Sequence, residues 1–232
     1  MKIFAISDLH LASTCDKPMD VFGGHWENYT EKIQSNWKEK ISDEDLVLIA
    51  GDISWAMKLD EVHEDLKWIH ELPGTKIMIK GNHEYWWKSI SSVREILPSS
   101  IKAIQNDAIK IGNYIICGTR GWTVPEQGKE LSEEDLKIYK REVERLKLTL
   151  AFASNMKEEN DKIIAMIHFP PFGANKEPSE FTELFEKYGV EKVVFGHIHG
   201  YTNCPLISEI NGVTYHFTSC DHIKNDPVLL YE

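Results

Sequence analysis

The 232-residue sequence predicts a layered α/β domain, with helices packed outside a sheet and a ligand site at the carboxyl ends of the strands. Three observations carry that prediction. Short apolar, often β-branched runs alternate along the chain with segments of helical spacing. Five of the runs stop abruptly at a cluster of Asp, Asn or His. The C-terminal part then finishes in strands alone. With 42% apolar residues the chain can bury one sizeable core, so one domain spanning 1–232 is expected.

The elements follow in order. Residues 2–7 are a short buried strand with a polar break after it. Residues 13–26 are a loop, because Pro18 and Gly23-Gly24 interrupt regular structure. Residues 28–41 are a helix, with Tyr29, Ile33, Trp37 and Ile41 at helical spacing. Residues 46–50 are a second buried strand, closed by Gly51-Asp52. Residues 58–72 form an amphipathic helix with Leu59, Val62, Leu66 and Ile69 on one face, ended by Pro73-Gly74. Residues 76–80 are a third strand, and 87–97 a further helix before Pro98.

The middle of the chain is less regular. Residues 109–117 read as a hairpin or two short strands about Gly112-Asn113, and 118–122 as a loop. Residues 131–157 are a long helix capped by Ser132, with Asp135 three residues on. A buried strand at 162–167 cannot continue through Pro170-Pro171. A helix at 180–188 stops at Gly189 and leads into the apolar run 192–195. Residues 205–210, 213–219 and 228–231 are the closing strands, two of them joined at Asn211-Gly212.

Charge and cysteine content narrow the function. The formal charge is −11 and the pI near 5.4, so nucleic-acid backbone is repelled unless a local basic patch exists. Residues 137–147 are locally basic, but Glu142, Glu144 and their helical spacing favour a solvated helix face. No apolar run approaches a membrane span, and the N-terminus runs directly into Asp8 and His10 without the form of a signal peptide. Cys15, Cys117, Cys204 and Cys220 are scattered without metal-ribbon or disulfide spacing. A cytoplasmic protein is expected, its oligomeric state left open.

The chemistry lies in five strand-end clusters: Ser7-Asp8-Leu9-His10, Gly51-Asp52-Ile53, Gly81-Asn82-His83-Glu84, Ile167-His168-Phe169 and Gly196-His197-Ile198-His199. Alternation along an extended chain points His197 and His199 to one side, suiting them to a single polar site. The donors are oxygen and nitrogen only, which disfavours iron–sulfur and blue-copper chemistry. Seven such donors exceed one tetrahedral zinc and suit two ions, roughly 3.5–4 Å apart, sharing a carboxylate.

The ordered set Asp8-x-His10, Gly51-Asp52, Gly81-Asn82-His83-Glu84, His168 and Gly196-His197-x-His199 resembles the calcineurin-like metallophosphoesterase superfamily over nearly the whole chain. Within it the likeness is greatest to the small bacterial phosphohydrolases. The resemblance implies a four-layer α/β/β/α sandwich with a dinuclear centre. It implies a first metal on Asp8, His10, Asp52 and His199, and a second on Asp52, Asn82, His168 and His197, with Asp52 as the bridge. It also implies that a metal-bridging hydroxide attacks phosphorus in line, and that His83 binds the phosphate or protonates the leaving alkoxide. Four imidazoles favour manganese or iron over magnesium, with zinc left open. The expected substrate is a small phosphomonoester or phosphodiester. Ile53-Ser54-Trp55 replaces the Asp-Arg-Gly run of the phosphoprotein phosphatases, which disfavours that activity.

Other residues carry weaker signals. Arg120, in a glycine-flanked loop, fits either a substrate phosphate or a surface ion pair. Tyr85 and Trp86 are candidates to stack on a substrate base, although packing accounts for at least two of Tyr85, Trp86 and Trp87. Asp16, Lys17 and Trp55 read as loop residues before mouth-lining ones. His222 has no motif, yet a closing strand could bring it near the site. The alternative enzyme reading is a nuclease or cyclic-nucleotide phosphodiesterase, with Tyr85, Trp86 or Trp122 supplying the base pocket. A non-catalytic scaffold should have lost His83 or a ligand, and none is lost.

Overall fold

The computed structural model describes residues 1–125, 130–200 and 203–232. Among them lie eleven strands in two sheets and five α-helices. The first sheet holds β1 (Ile3–Ile6), β2 (Leu46–Ile49), β3 (Thr75–Met78), β4 (Ile101–Ala103) and β11 (Val228–Tyr231), in the order β11-β1-β2-β3-β4. All pairs are parallel except β11 with β1. The second holds β5 (Ala108–Ile111), β6 (Tyr114–Thr119), β7 (Lys162–Ile167), β8 (Val190–Phe195), β9 (Ile207–Ile210) and β10 (Val213–Phe217), in the order β5-β6-β7-β8-β10-β9. Its centre is parallel and both edge pairs are antiparallel.

Period-two alternation sorts the strand residues into layers. Phe4 and Ile6 of β1, with Val47 and Ile49 of β2, face α1 (Tyr29–Lys40), α2 (His63–His70) and α3 (Ile90–Ile96) through Trp37, Leu66 and Val93. Ile3, Ala5 and Ile77 turn the other way and meet Ile116, Ile164 and Val194 of the second sheet. Ile163, Ala165 and Phe195 face α4 (Glu133–Met156) and α5 (Glu180–Lys187). The result is an α/β/β/α sandwich. Each fully buried isoleucine of the central layer contributes about 1.5–3 kcal/mol, against about 1 kcal/mol for a typical hydrogen bond. The apolar layer therefore decides how the sheets meet.

The two sheets match the four-layer sandwich that the resemblance implies, although alternation along the chain by itself suggests only one sheet. A strand buried on both faces reads the same whether a helix or another sheet covers it. β4 went unpredicted because three residues carry no period. α2 starts at His63 rather than 58, since the Glu61 carboxylate takes the N–H groups of Met57 and Lys58 in a turn. α3 starts at Ile90 rather than 87, where the Ser89 hydroxyl caps the Ser92 N–H. Ser132 caps α4 as expected, accepting from the Asp135 N–H at 3.0 Å. The loop before α1 contains single 3-10 turns at Met19–Phe22 and Gly24–Trp26.

Candidate metal centre

The parallel strands of both sheets deliver the clusters to one region: Asp8 and His10 follow β1, Asp52 follows β2, Asn82 and His83 follow β3, His168 follows β7, and His197 and His199 follow β8. The chain turns out of several of these strands at a cost. Asp8, His10, Asp52 and His197 have φ of 59°, 44°, 50° and 75°, each left-handed and unfavourable by about 1–3 kcal/mol for a residue with a Cβ. Two glycines are required by close approach. A Cβ on Gly81 would collide with the Asp52 carboxylate, and one on Gly196 with the Asp8 carboxylate and Ser7 hydroxyl.

All seven predicted ligand positions meet, and they divide into two groups. Asp8, His10 and His199 offer ligand atoms within 4.8 Å of one another, as do Asp52, His168 and His197. The Asn82 side-chain oxygen joins the second group, 2.8 Å from His168 Nε2 and 2.9 Å from His197 Nδ1. His197 and His199 therefore face different halves of the site. The same-side expectation assumed an extended chain, which the positive φ of His197 breaks. Asp52 lies between the halves, with Oδ2 3.3 Å from His168 Nε2 and 3.8 Å from His10 Nε2.

The donor set fits a pair of cations. The His168 Nδ1–H donates to the Ala50 carbonyl at 2.9 Å, so Nε2 carries the lone pair of the neutral ring and faces two oxygens. His199 repeats the arrangement, its Nδ1 on Asp221 at 3.1 Å and its Nε2 toward Asp8 Oδ1 at 3.3 Å and His10 Nε2 at 3.2 Å. Lone pairs converging on lone pairs need positive charge between them.

Without metal, that charge falls on the imidazoles. Burial opposes protonation of His168, but the Asp52 charge and hydrogen bond raise it to about 9. Burial likewise opposes His199, which Asp221 and Asp8 raise to about 10. Burial drives His10 and His197 down to about 4. Each half thus holds one charged imidazole and one neutral one. Burial would raise both aspartates, yet the imidazoles hold Asp52 at about 2 and Asp8 well below the carboxylate range.

Further groups fix the ligands. Asp8 is fully buried and accepts from the Ser7 and Ser219 hydroxyls, at 2.5 and 2.8 Å, and from the His197 N–H at 3.1 Å. Asp221 orients His199 in the way that carboxylates commonly hold metal-binding imidazoles. Its only sequence signal is its place just beyond a strand, in Cys220-Asp221-His222, where the histidine is the more conspicuous residue. Glu84 ties two ligand loops together, its buried carboxylate accepting the N–H groups of Gly81, Asp52 and Ile53. Burial and the nearby Asp52 push Glu84 up to about 7, against the backbone donors. Glu84→Gln would turn an NH2 toward those donors. It should cost about 3 kcal/mol, lowering Tm by roughly 6–12 °C in thermal denaturation. An unchanged Tm would mean that the carboxylate does not hold these loops.

His83 stands beside both groups and belongs to neither. Its backbone N–H donates to Asp52 Oδ1 at 2.9 Å, and its Nε2 lies 4.0 Å from Asp52 Oδ2. The ring is 32% exposed and held against Trp55, 4.4 Å between centroids. Burial lowers its pKa, with Asp52 opposing. Trp55, read as loop, also stacks on His10 at 4.9 Å, and the Lys17 ammonium lies over its ring.

The weaker candidates separate. Tyr85 is half exposed and 6.2 Å from the His83 ring. Trp86 is completely buried in the core beside Trp87, which corrects its reading as a stacking surface: it has no face to offer a ligand. Arg120 leaves the cluster, pairing with Glu142 at 3.4 Å and lying over Trp122. His222 reaches the flank of Asp221, 3.7 Å away, and packs its ring against Phe217, 4.9 Å between centroids.

Two groups of Asp and His that could each hold a cation, at the strand ends of an α/β/β/α sandwich, are the arrangement that metal-dependent phosphoester hydrolysis requires. The calcineurin-like phosphoesterase model matches residues 1–201, and the chain belongs to that family. A protein of Thermus thermophilus shares the fold with a TM-score of 0.60 at 12% identity, over 99% of this chain and 97% of that one. The phosphopantetheinyl hydrolase of Mycobacterium tuberculosis gives 0.59 at 14% identity, over 99% and 95%. A protein of unknown function from Aquifex aeolicus gives 0.52 at 15%, over 98% and 95%. These identities speak to fold alone. No curated protein matches the sequence, and among the described residues no helix is long and apolar enough to cross a membrane.

Proposed function

We propose that the protein is a dinuclear-metal phosphohydrolase that cleaves a P–O bond in a small phosphomonoester or phosphodiester by in-line displacement at phosphorus. Asp8, His10, Asp52 and His199 would hold one ion, and Asp52, Asn82, His168 and His197 the other. The observation that carries this reading is the position of Asp52 Oδ2, directed at once toward His10 of one group and His168 of the other. When bound, the two ions supply an activated water and neutralise the phosphate charge. The imidazole-rich donor set favours manganese or iron, with zinc a further candidate.

The side chains do the rest. Asp8 and Asp52 stay ionised and leave the site able to accept cations. His83 is a partly exposed imidazole that borders both halves without joining either. It is placed to contact the phosphate and pass a proton to the departing oxygen. Trp55 restrains the ring by packing against it. Tyr85 leaves a nucleobase one exposed aromatic face near His83, which favours nucleotide esters as a second reading. The acidic surface disfavours long polyanions, and the scattered cysteines suit a reducing cytoplasm.

Chelation followed by reloading with Mn2+, Fe2+ or Zn2+ tests the reading. Hydrolysis of p-nitrophenyl phosphate or its diester should appear only after reloading. Nucleotides, sugar phosphates and phosphopantetheinyl esters then sort the substrate. A preparation carrying two metals per chain and inert toward the entire set would refute it.

A further inference from the structure

A second polar cavity, of about 260 Å3, lies beside the metal centre and outside it. Its walls carry five cations, Lys80, Lys88, Arg120, Arg141 and Arg145, against one carboxylate, Glu142. In a chain with net charge −11 this is a local inversion of sign. The three guanidiniums converge on one oxygen of Glu142: Arg145 at 2.7 Å, Arg120 at 3.4 Å and Arg141 at 3.9 Å. The other Glu142 oxygen is taken by the Thr119 hydroxyl at 2.8 Å. Glu142 is fully buried and cannot neutralise three positive groups.

The remaining contacts leave the charge in place. Lys80 is half-buried and donates to the Trp87 carbonyl, at 3.1 Å, an uncharged acceptor. The Arg120 Nε has no hydrogen-bond partner among the described residues. Lys88 and Arg141 reach the cavity from exposed positions. Like charges gathered around a concavity with donors to spare are the arrangement that recognises phosphate. On α4, Arg141 and Arg145 are four residues apart and share a face, so this part of the basic 137–147 segment turns to the cavity and not simply to solvent.

The cavity shares two loops with the metal centre. Lys80 precedes Asn82 by two residues, and the Arg120 carbonyl accepts the His168 N–H at 2.9 Å. We infer that this pocket is a second anion site, which takes a phosphate group apart from the one presented to the metals. Two sources supply such a group. One is a further phosphate on the substrate, an option that rests on the hydrolase reading. The other is a separate small phosphate that binds beside the site.

Calorimetric titration of metal-free protein with pyrophosphate tests the pocket without turnover, so the result stands even if the hydrolase reading fails. Binding should weaken as NaCl rises, and should weaken at least about tenfold in a Lys88→Gln/Arg141→Gln double variant. Both side chains are exposed, so the variant should keep its far-UV circular dichroism. Glu142→Gln, which removes the one opposing charge, should tighten binding. No binding to the wild type, or equal affinity in wild type and double variant, overturns the proposal. A second arm compares a sugar bisphosphate with p-nitrophenyl phosphate on the metal-loaded enzyme. If the double variant lowers the ratio of their kcat/KM values, the phosphate is the substrate's own. An unchanged ratio with pyrophosphate affinity lost assigns the pocket to a separate anion.

Discussion

Asp52→Asn should reduce turnover by about a thousandfold or more. In the proposed centre Asp52 would be shared and would set the positions of both ions, and metal stabilisation of a phosphoryl transition state is worth several kcal/mol, at about 1.36 kcal/mol per factor of ten. Asparagine keeps the volume and the Oδ1 that accepts the His83 N–H. What changes is the charge and the character of the atom facing His10 and His168. The loss should therefore appear as lower metal content and lower kcat, in a protein whose circular dichroism is that of the wild type. A variant that retained two tightly held ions and normal kcat would remove Asp52 from the centre of the account.

His83→Ala should behave differently. Metal content should be unchanged, because His83 lies in neither ligand group. The rate should fall by roughly a hundredfold to ten-thousandfold, the usual range for a lost general acid. Leaving groups divide the possible roles. An alkoxide needs a proton more than p-nitrophenolate does, so the loss should be larger for alkyl phosphates than for aryl ones. An equal loss across leaving groups would point instead to phosphate binding alone.

The candidate metal centre was legible because the residues proposed as its ligands follow a recognisable grammar. Strand-end carboxylates and imidazoles must pack against neighbouring loops, and glycine is the residue that permits it at Gly81 and Gly196. The supporting groups leave no such mark. Asp221 and Glu84 act through contacts between segments separated in sequence, His199 with Asp221 and Asp52 with Glu84, and neither period nor spacing reports that. The second sheet was expected from the family resemblance and not from alternation, because Ile164 and Met166 are apolar for reasons that a helix would satisfy equally. Trp86 and Trp87 are buried, as expected for at least two of the three aromatics, so of the two stacking candidates Trp86 is removed and only Tyr85 keeps an exposed face. The cations of the pocket come from three separated segments, and the basic run on α4 alone looked like an ordinary solvated face.

Counting and locating the metal in the wild-type protein tests the central claim most directly. Elemental analysis paired with anomalous diffraction should find two ions per chain, one among Asp8, His10 and His199, the other among Asn82, His168 and His197, with the Asp52 carboxylate touching both. A single ion, or two ions with Asp52 turned away from them, would contradict it.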